Sequence, residues 1–314
     1  MDGPTEEKTH TYLWTPQLFD PVFRKKRYME DFFGSLPEGF VAEALALTTP
    51  RDASRLSSVN SFFRSAAEWN TVWGSFVPSE CLAEGVDGRR HSMKEVYLRL
   101  CDHPIIIENG NKRLWLDKCT GKKCYMLAAK QFSIALVDSP SCWKWTSIAD
   151  SRFKEVAELI SVCSLEMSGT VNTSILSPTT TYVAHLVFMT TATTYGFDYQ
   201  PVEVYIGDNS KTRMVYLDPQ AQNRRGLRPR RRIGIFGGRA FGNYNVVPSP
   251  SPSPSADNCP KHREDGWFEV EIGEYFNKGG DEEELEISVM EVKGGNWKRG
   301  LIIQGIEIRP KKCV

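Results

Sequence analysis

Leu36-Pro-Glu-Gly-Phe-Val-Ala-Glu-Ala-Leu45, then Thr49-Pro-Arg-Asp-Ala-Ser-Arg-Leu-Ser-Ser-Val59, then Phe62-Phe-Arg-Ser-Ala-Ala67, reads as three short helices in succession. Pro37 suits a first helical turn, because the N–H it lacks has no intrahelical partner there. Phe40, Val41, Ala44, Leu45 and Leu47 then fall mostly on one face. Thr49-Pro50 sets a capping hydroxyl before an N1 proline, and Ala53, Leu56 and Val59 repeat every three residues behind it. The third stretch starts near Ser61 and carries Phe62, Phe63, Ala66, Ala67 and Trp69 ahead of Val72-Trp73. Gly39 inside the first helix costs about 1 kcal/mol.

On the N-terminal side, residues 1–35 have no clear period and hold scattered aromatics (Tyr12, Trp14, Phe19, Phe23) and the basic run Arg24–Arg27. The acidic, polar start does not read as a secretory signal. On the C-terminal side, the small polar residues 81–92 read as a linker and Met93–Cys101 as a short helix. Past about residue 112 the period changes to two. Val202/Val204/Ile206, Val270/Ile272, Leu285/Ile287/Val289 and Ile306/Ile308 alternate as half-buried strands do. Ala184–Met189 and Leu301–Ile303 are continuous apolar runs, as expected of strands covered on both faces. Arg152–Leu159 reads as one more short helix. The six arginines Arg224, Arg225, Arg228, Arg230, Arg231 and Arg232 and the Pro-Ser repeat 248–255 fall in one exposed, mobile loop, 219–262. The arginines read as a nuclear-import signal or as a solvated basic loop.

At 314 residues, 40% of them hydrophobic, the chain is long enough for two compact domains with a sizeable core. With 39 basic and 39 acidic side chains the net charge is zero, which argues against whole-surface attraction to nucleic acid or an anionic membrane. No apolar run approaches the roughly 20 residues of a membrane span, so cytoplasm and nucleus are the expected compartments. In that reducing setting the eight cysteines read as free thiols. Cys119 and Cys124 have no second pair to complete a zinc site, and no metal or cofactor is expected. No GxSxG, HExxH, P-loop or Rossmann fingerprint is present, so the chain reads as non-catalytic.

In order and spacing, residues 36–73 resemble an F-box. The resemblance implies a three-helix module docking the small Skp adaptor of a cullin–RING ubiquitin ligase, with Leu36, Pro37, Val41, Leu45, Leu56, Val59 and Trp73 as the docking residues. These exceed what three short helices bury internally, and a small module often needs a partner surface to complete it. The alternative is a self-contained helical cap.

From about residue 94 to the C-terminus the chain resembles the phloem protein 2 (Nictaba-like) lectins of plants. The matching stretches include Cys124–Ala129, Trp143-Lys-Trp145, Asp150–Leu159, Gly266–Phe276, Met290–Ile303 and Gly305–Pro310. The resemblance implies a jelly-roll β-sandwich that binds N-acetylglucosamine oligomers or N-glycan cores on two tryptophans seven residues apart. Trp143 holds the second of these positions and Leu136 the first, and Ser164 stands where another tryptophan is common. Acceptors resembling the family's come from Glu284 and Glu291. Trp267 and Trp297 are expected to be structural, and His185 to be a hydrogen-bonded core residue.

The combined expectation is an α+β multidomain chain: an extension 1–35, an F-box 36–80, a linker 81–92 and a lectin domain 93–314. Its expected role is that of a ligase adaptor capturing a glycoprotein or protein client. The alternatives are a lectin with no ligase role, or an adaptor with a degenerate sugar site.

Overall fold

The computed structural model describes residues 36–83, 91–198, 200–207, 212–221, 255–280, 282–291 and 295–312. The extension 1–35, the arginines 224–232 and most of the loop 219–262 lie outside them.

Six α-helices are described: the three expected stretches give four, the helix expected from Met93 forms, and a short one at Ser79–Ala83 is additional. They are α1 (Glu38–Ala46), α2 (Pro50–Leu56), α3 (Ser61–Ala67), α4 (Asn70–Phe76), α5 (Ser79–Ala83) and α6 (Met93–Asp102). The Thr49 cap read from sequence forms, and Asn60 supplies a second that the sequence reading does not name. Thr49 Oγ1 accepts from Asp52 N at 3.2 Å, and Asn60 Oδ1 accepts from Phe63 N at 2.8 Å. The expected third helix is two, because Trp69 takes an extended backbone between α3 and α4. The reversal lets the Trp73 indole N–H donate to Ala67 O at 2.6 Å, pairing a carbonyl left open at the end of α3. The expected linker 81–92 is structured at both ends. Cys81 is buried in α5 within the helical core, and Ser92 caps α6 in a capping box with Glu95.

The strands in chain order are β1 (Ile105–Ile107), β2 (Lys112–Leu116), β3 (Lys123–Ala128), β4 (Ser133–Ile134), β5 (Trp143–Thr146), β6 (Val156–Leu159) and β7 (Leu165–Asn172). They continue with β8 (Thr180–Tyr195), β9 (Val202–Ile206), β10 (Arg213–Val215), β11 (Lys261–His262), β12 (Phe268–Asn277), β13 (Glu284–Glu291) and β14 (Arg299–Pro310). One sheet runs β1-β2-β3-β14-β8-β12-β11, with β6 and β5 attached beside β14; the other runs β10-β9-β13-β7-β4. Every described pairing is antiparallel. Leu186, Phe188, Ile303 and Ile306 of the first sheet share one core with Met167, Val204, Ile287 and Val289 of the second, which makes a β-sandwich.

The alternating positions read from sequence point into that core. The continuous runs serve two faces, since Val187 and Ile302 pack outside the first sheet against Met126, Phe153 and Trp267. The expected helix at 152–159 does not form: residues 152–155 are irregular and Val156–Leu159 is strand β6, paired with both β5 and β14. Phe153, Val156 and Ala157 are spaced like a helix face, but two neighbouring strands supply ladder partners and that decides the conformation. Where β14 bulges past Ile303, Gly305 crosses β3 so closely that a Cβ would lie 2.1 Å from Leu127 O.

The helices are built onto the sandwich. Leu116 of β2 sits in the helical core, and Tyr97 of α6 donates its hydroxyl toward Asp117 O at 3.1 Å. Arg51 N donates to Cys119 O at 3.2 Å in the same β2–β3 turn.

Candidate functional site

The helical core contains Val41, Leu45 and Trp73 of the expected docking residues, all buried, and Leu56 half-buried against it. Trp73 stacks at ring-centroid distances of 5.9 Å from Phe76 and 5.3 Å from Tyr97, and the Lys94 ammonium lies 5.4 Å from its ring. Those residues are inner scaffold. Leu36, Pro37 and Val59 stand open to solvent. They are joined by residues not among those expected: Phe40 (66% exposed), Leu47 (89%) and Trp69. Gly39 lies under the Trp69 ring, where a Cβ would be 3.8 Å from the nearest ring carbon. The helical period identified residues sharing a face. It did not say which face the remaining helices would cover.

Of the four expected sugar-binding residues, Trp143 and Glu291 are buried, Leu136 lies beside Trp143, and Glu284 stands apart at the far end of β13. Leu136 is exposed at 59%, in a turn with φ 61°, and Ser139 N donates to its carbonyl at 3.0 Å. Trp143 is 3% exposed, and its indole N–H donates to Ala135 O at 3.1 Å, so its ring face is spent on the core rather than offered to a ligand. Glu291 and Lys298 form an ion pair in which both are buried, Lys298 completely. The Lys298 ammonium also donates to Cys163 O at 3.2 Å and Asn296 O at 2.8 Å, and Gln200 Nε2 donates to Glu291 at 3.3 Å. Glu284 starts β13 and Glu291 ends it, so seven strand steps hold them about 23 Å apart. Ser164, half-buried, precedes Leu165, the register partner of Glu291. Trp267 is structural as expected: it is fully buried and donates to Asp150 O at 3.3 Å. Trp297 is not, since it is exposed.

A charge cluster on the outer face of the first sheet escaped the sequence reading. Glu307, nearly fully buried, meets Arg152 at 2.7 Å, Arg263 at 3.0 Å and Arg309 at 3.2 Å. Arg263 and Arg309 also hold Glu269, at 2.7 and 2.5 Å. Burial alone would raise the Glu307 pKa, but the three guanidinium groups outweigh it and hold the carboxyl below its ordinary range. His185 lies 3.2 Å from Arg309, and its Nδ1 has no hydrogen-bond partner among the described residues. Burial first, and the Arg309 charge second, bring its pKa down to about 4. The imidazole is therefore neutral at pH 7, a packing element of the network.

Cys119 and Cys124 are free thiols, one exposed and one buried. Among the described residues no cluster of three or more His, Cys, Asp or Glu is placed to hold a metal ion, and no helix is long and apolar enough to cross a membrane.

Residues 122–310 match the Phloem protein 2 family. The putative F-box protein PP2-B12 of Arabidopsis thaliana is 40% identical over 285 residues, covering 90% of this chain and 99% of its own length. F-box protein PP2-B1 of the same plant is 39% identical over 315 residues, covering 89% and 90%. F-box protein VBF is 37% identical over 287 residues, covering 88% and 99%. A helical module with exposed apolar residues, built onto an antiparallel sandwich and matched along nearly all its length by such relatives, defines an F-box protein with a phloem protein 2 domain. The chain belongs to the phloem protein 2 family.

Proposed function

We propose that helices α1–α4 dock a Skp-type adaptor, and through it a cullin–RING ubiquitin ligase, while the sandwich captures a client by protein–protein contact. The observation that carries this reading is the exposure of Leu36, Phe40, Leu47, Val59 and Trp69, in and between helices whose own core is already filled. Fully covering one such side chain is worth about 1.5–3 kcal/mol, so covering several supports a stable complex. The F-box names of the relatives agree with it. The chain itself performs no chemistry in this reading; ubiquitin transfer belongs to the partners.

For the client side, a protein surface is favoured over a glycan by the burial of Trp143 and the internal pairing of Glu291 with Lys298. A sugar site needs an aromatic face and free acceptors, and neither residue offers one. The test is co-purification with a recombinant Skp-type adaptor. The wild-type chain is expected to retain it, and the Leu36→Ala/Pro37→Ala and Leu47→Glu variants to lose it. Equal recovery with all three would end the adaptor reading. On the client side, binding of chitin oligomers that Leu136→Ala abolishes would restore the glycan reading.

A further inference from the structure

Helix α5, the β1–β2 hairpin and the turn after β7 meet around a cavity of about 370 Å³. Its walls are Ile105, Ile107, Leu114 and Ile175, with Cys81 and Ser174 beside them, and Lys123 and Glu80 close one side. The register explains this lining. Ile105 opposes Leu114, Leu114 opposes Tyr125, and Leu116 opposes Lys123, so these side chains share the inner face of the sheet. That face passes from the sandwich core at Tyr125 to the helical core at Leu116, and the cavity lies at the change-over. The other described cavities mix aromatic side chains with threonine and carboxylate groups; this one is mainly aliphatic with one buried cation.

Lys123 is buried, its backbone N–H donates to Ser177 Oγ at 3.0 Å, and its ammonium reaches Glu80 at 3.2 Å. Glu80 sits on a five-residue helix with its carboxylate largely in water. An exposed carboxylate gives up such a pair at little cost, because solvation replaces most of it. A buried ammonium does not, and needs a replacement anion. Pockets at the junction of structural units, apolar with a few convergent polar groups and of a few hundred Å³, are where small ligands bind.

The geometry points to a binding site for a small amphipathic carboxylate, its apolar body among Ile105, Ile107, Leu114 and Ile175 and its carboxylate replacing Glu80 on Lys123. A ligand seated there touches α5, the first sheet and the turn after β7 together, and so stiffens the helical module against the sandwich. The inference is independent of adaptor docking.

The test is calorimetric titration of the full chain with decanoate and with 1-decanol below their aggregation thresholds. Wild type is expected to bind decanoate saturably and at least tenfold more tightly than decanol. Lys123→Met is expected to bind the two equally. Ile175→Trp, which fills the cavity, is expected to bind neither while keeping the wild-type circular dichroism. Isoleucine-methyl NMR of the wild type avoids any folding defect: decanoate is expected to shift Ile105, Ile107 and Ile175 and to leave Ile303 of the sandwich core unmoved. No saturable binding, a tenfold preference that survives Lys123→Met, or shifts that spare these three methyls would each overturn the assignment.

Discussion

In the module of α1–α4 and their connections, Phe40, Leu47, Val59 and Trp69 face water outside a core that is already filled. At the end of the sandwich the reverse holds, with Trp143 turned inward and Glu291 closed on Lys298. Both regions offer a tryptophan in sequence, yet Trp69 is left partly outside and Trp143 is consumed internally. Residue type alone therefore does not locate a recognition surface in this chain. What decides is whether the fold supplies the side chain with a partner.

The largest expected effect comes from opening the closed end. Glu291→Ala leaves the Lys298 ammonium buried without its carboxylate, and denaturant unfolding is expected to show a loss of about 3–5 kcal/mol. Glu291→Leu/Lys298→Met removes both charges and is expected to recover most of that loss. If Glu291→Ala is neutral, the pair is not what closes this end.

A second effect depends on pH. His185 titrates near 4 in the fold and near 6.5 when unfolded. Between those values the unfolded chain binds the extra proton, so stability is fully present above pH 6.5 and declines as pH falls toward 4. The contribution is on the order of 3 kcal/mol. Glu307, held below its ordinary range, adds a further loss at pH values below about 4.3. Unfolding curves from pH 7 to 4 are expected to be markedly flatter for His185→Leu than for wild type. Parallel curves would show that the imidazole is not desolvated in the native state.

On the open face the stability effects are small and the binding effects large. Phe40→Ser and Leu47→Ser are expected to change unfolding free energy within about 0.5 kcal/mol, as surface substitutions do, while weakening adaptor binding at least tenfold. Large destabilisation by either would move these residues into the core and erase the contrast. The smallest effect is a gain. Gly39→Ala places its Cβ at ordinary contact distance from Trp69, and thermal or denaturant unfolding is expected to show about 0.5–1 kcal/mol more stability.

Much of the architecture was legible in the chain because its signals are local. The cap Thr49, the change of period near residue 112 and the doubly covered run Ala184–Met189 need only neighbouring residues to be read. The failures share a different cause. Phe153, Val156 and Ala157 imitate a helix face, and only β5 and β14, the latter nearly 150 residues on, make that segment a strand. Trp143 resembles a ligand platform until Ala135 O and the core claim it. Glu307 gathers Arg152 and Arg263 from far along the chain, a grouping no spacing rule announces. Of the docking residues, the sequence could name the apolar helix positions. Sorting Val41, Leu45 and Trp73 inward and Leu36, Pro37 and Val59 outward required the packing of α1 on α3 and α4.

The most direct measurement is hydrogen–deuterium exchange of the full chain with and without a recombinant Skp-type adaptor. Added protection is expected across residues 36–76, with the sandwich strands from 123 to 310 unchanged. Unaltered exchange in the helices, or protection confined to the sandwich, would contradict the account.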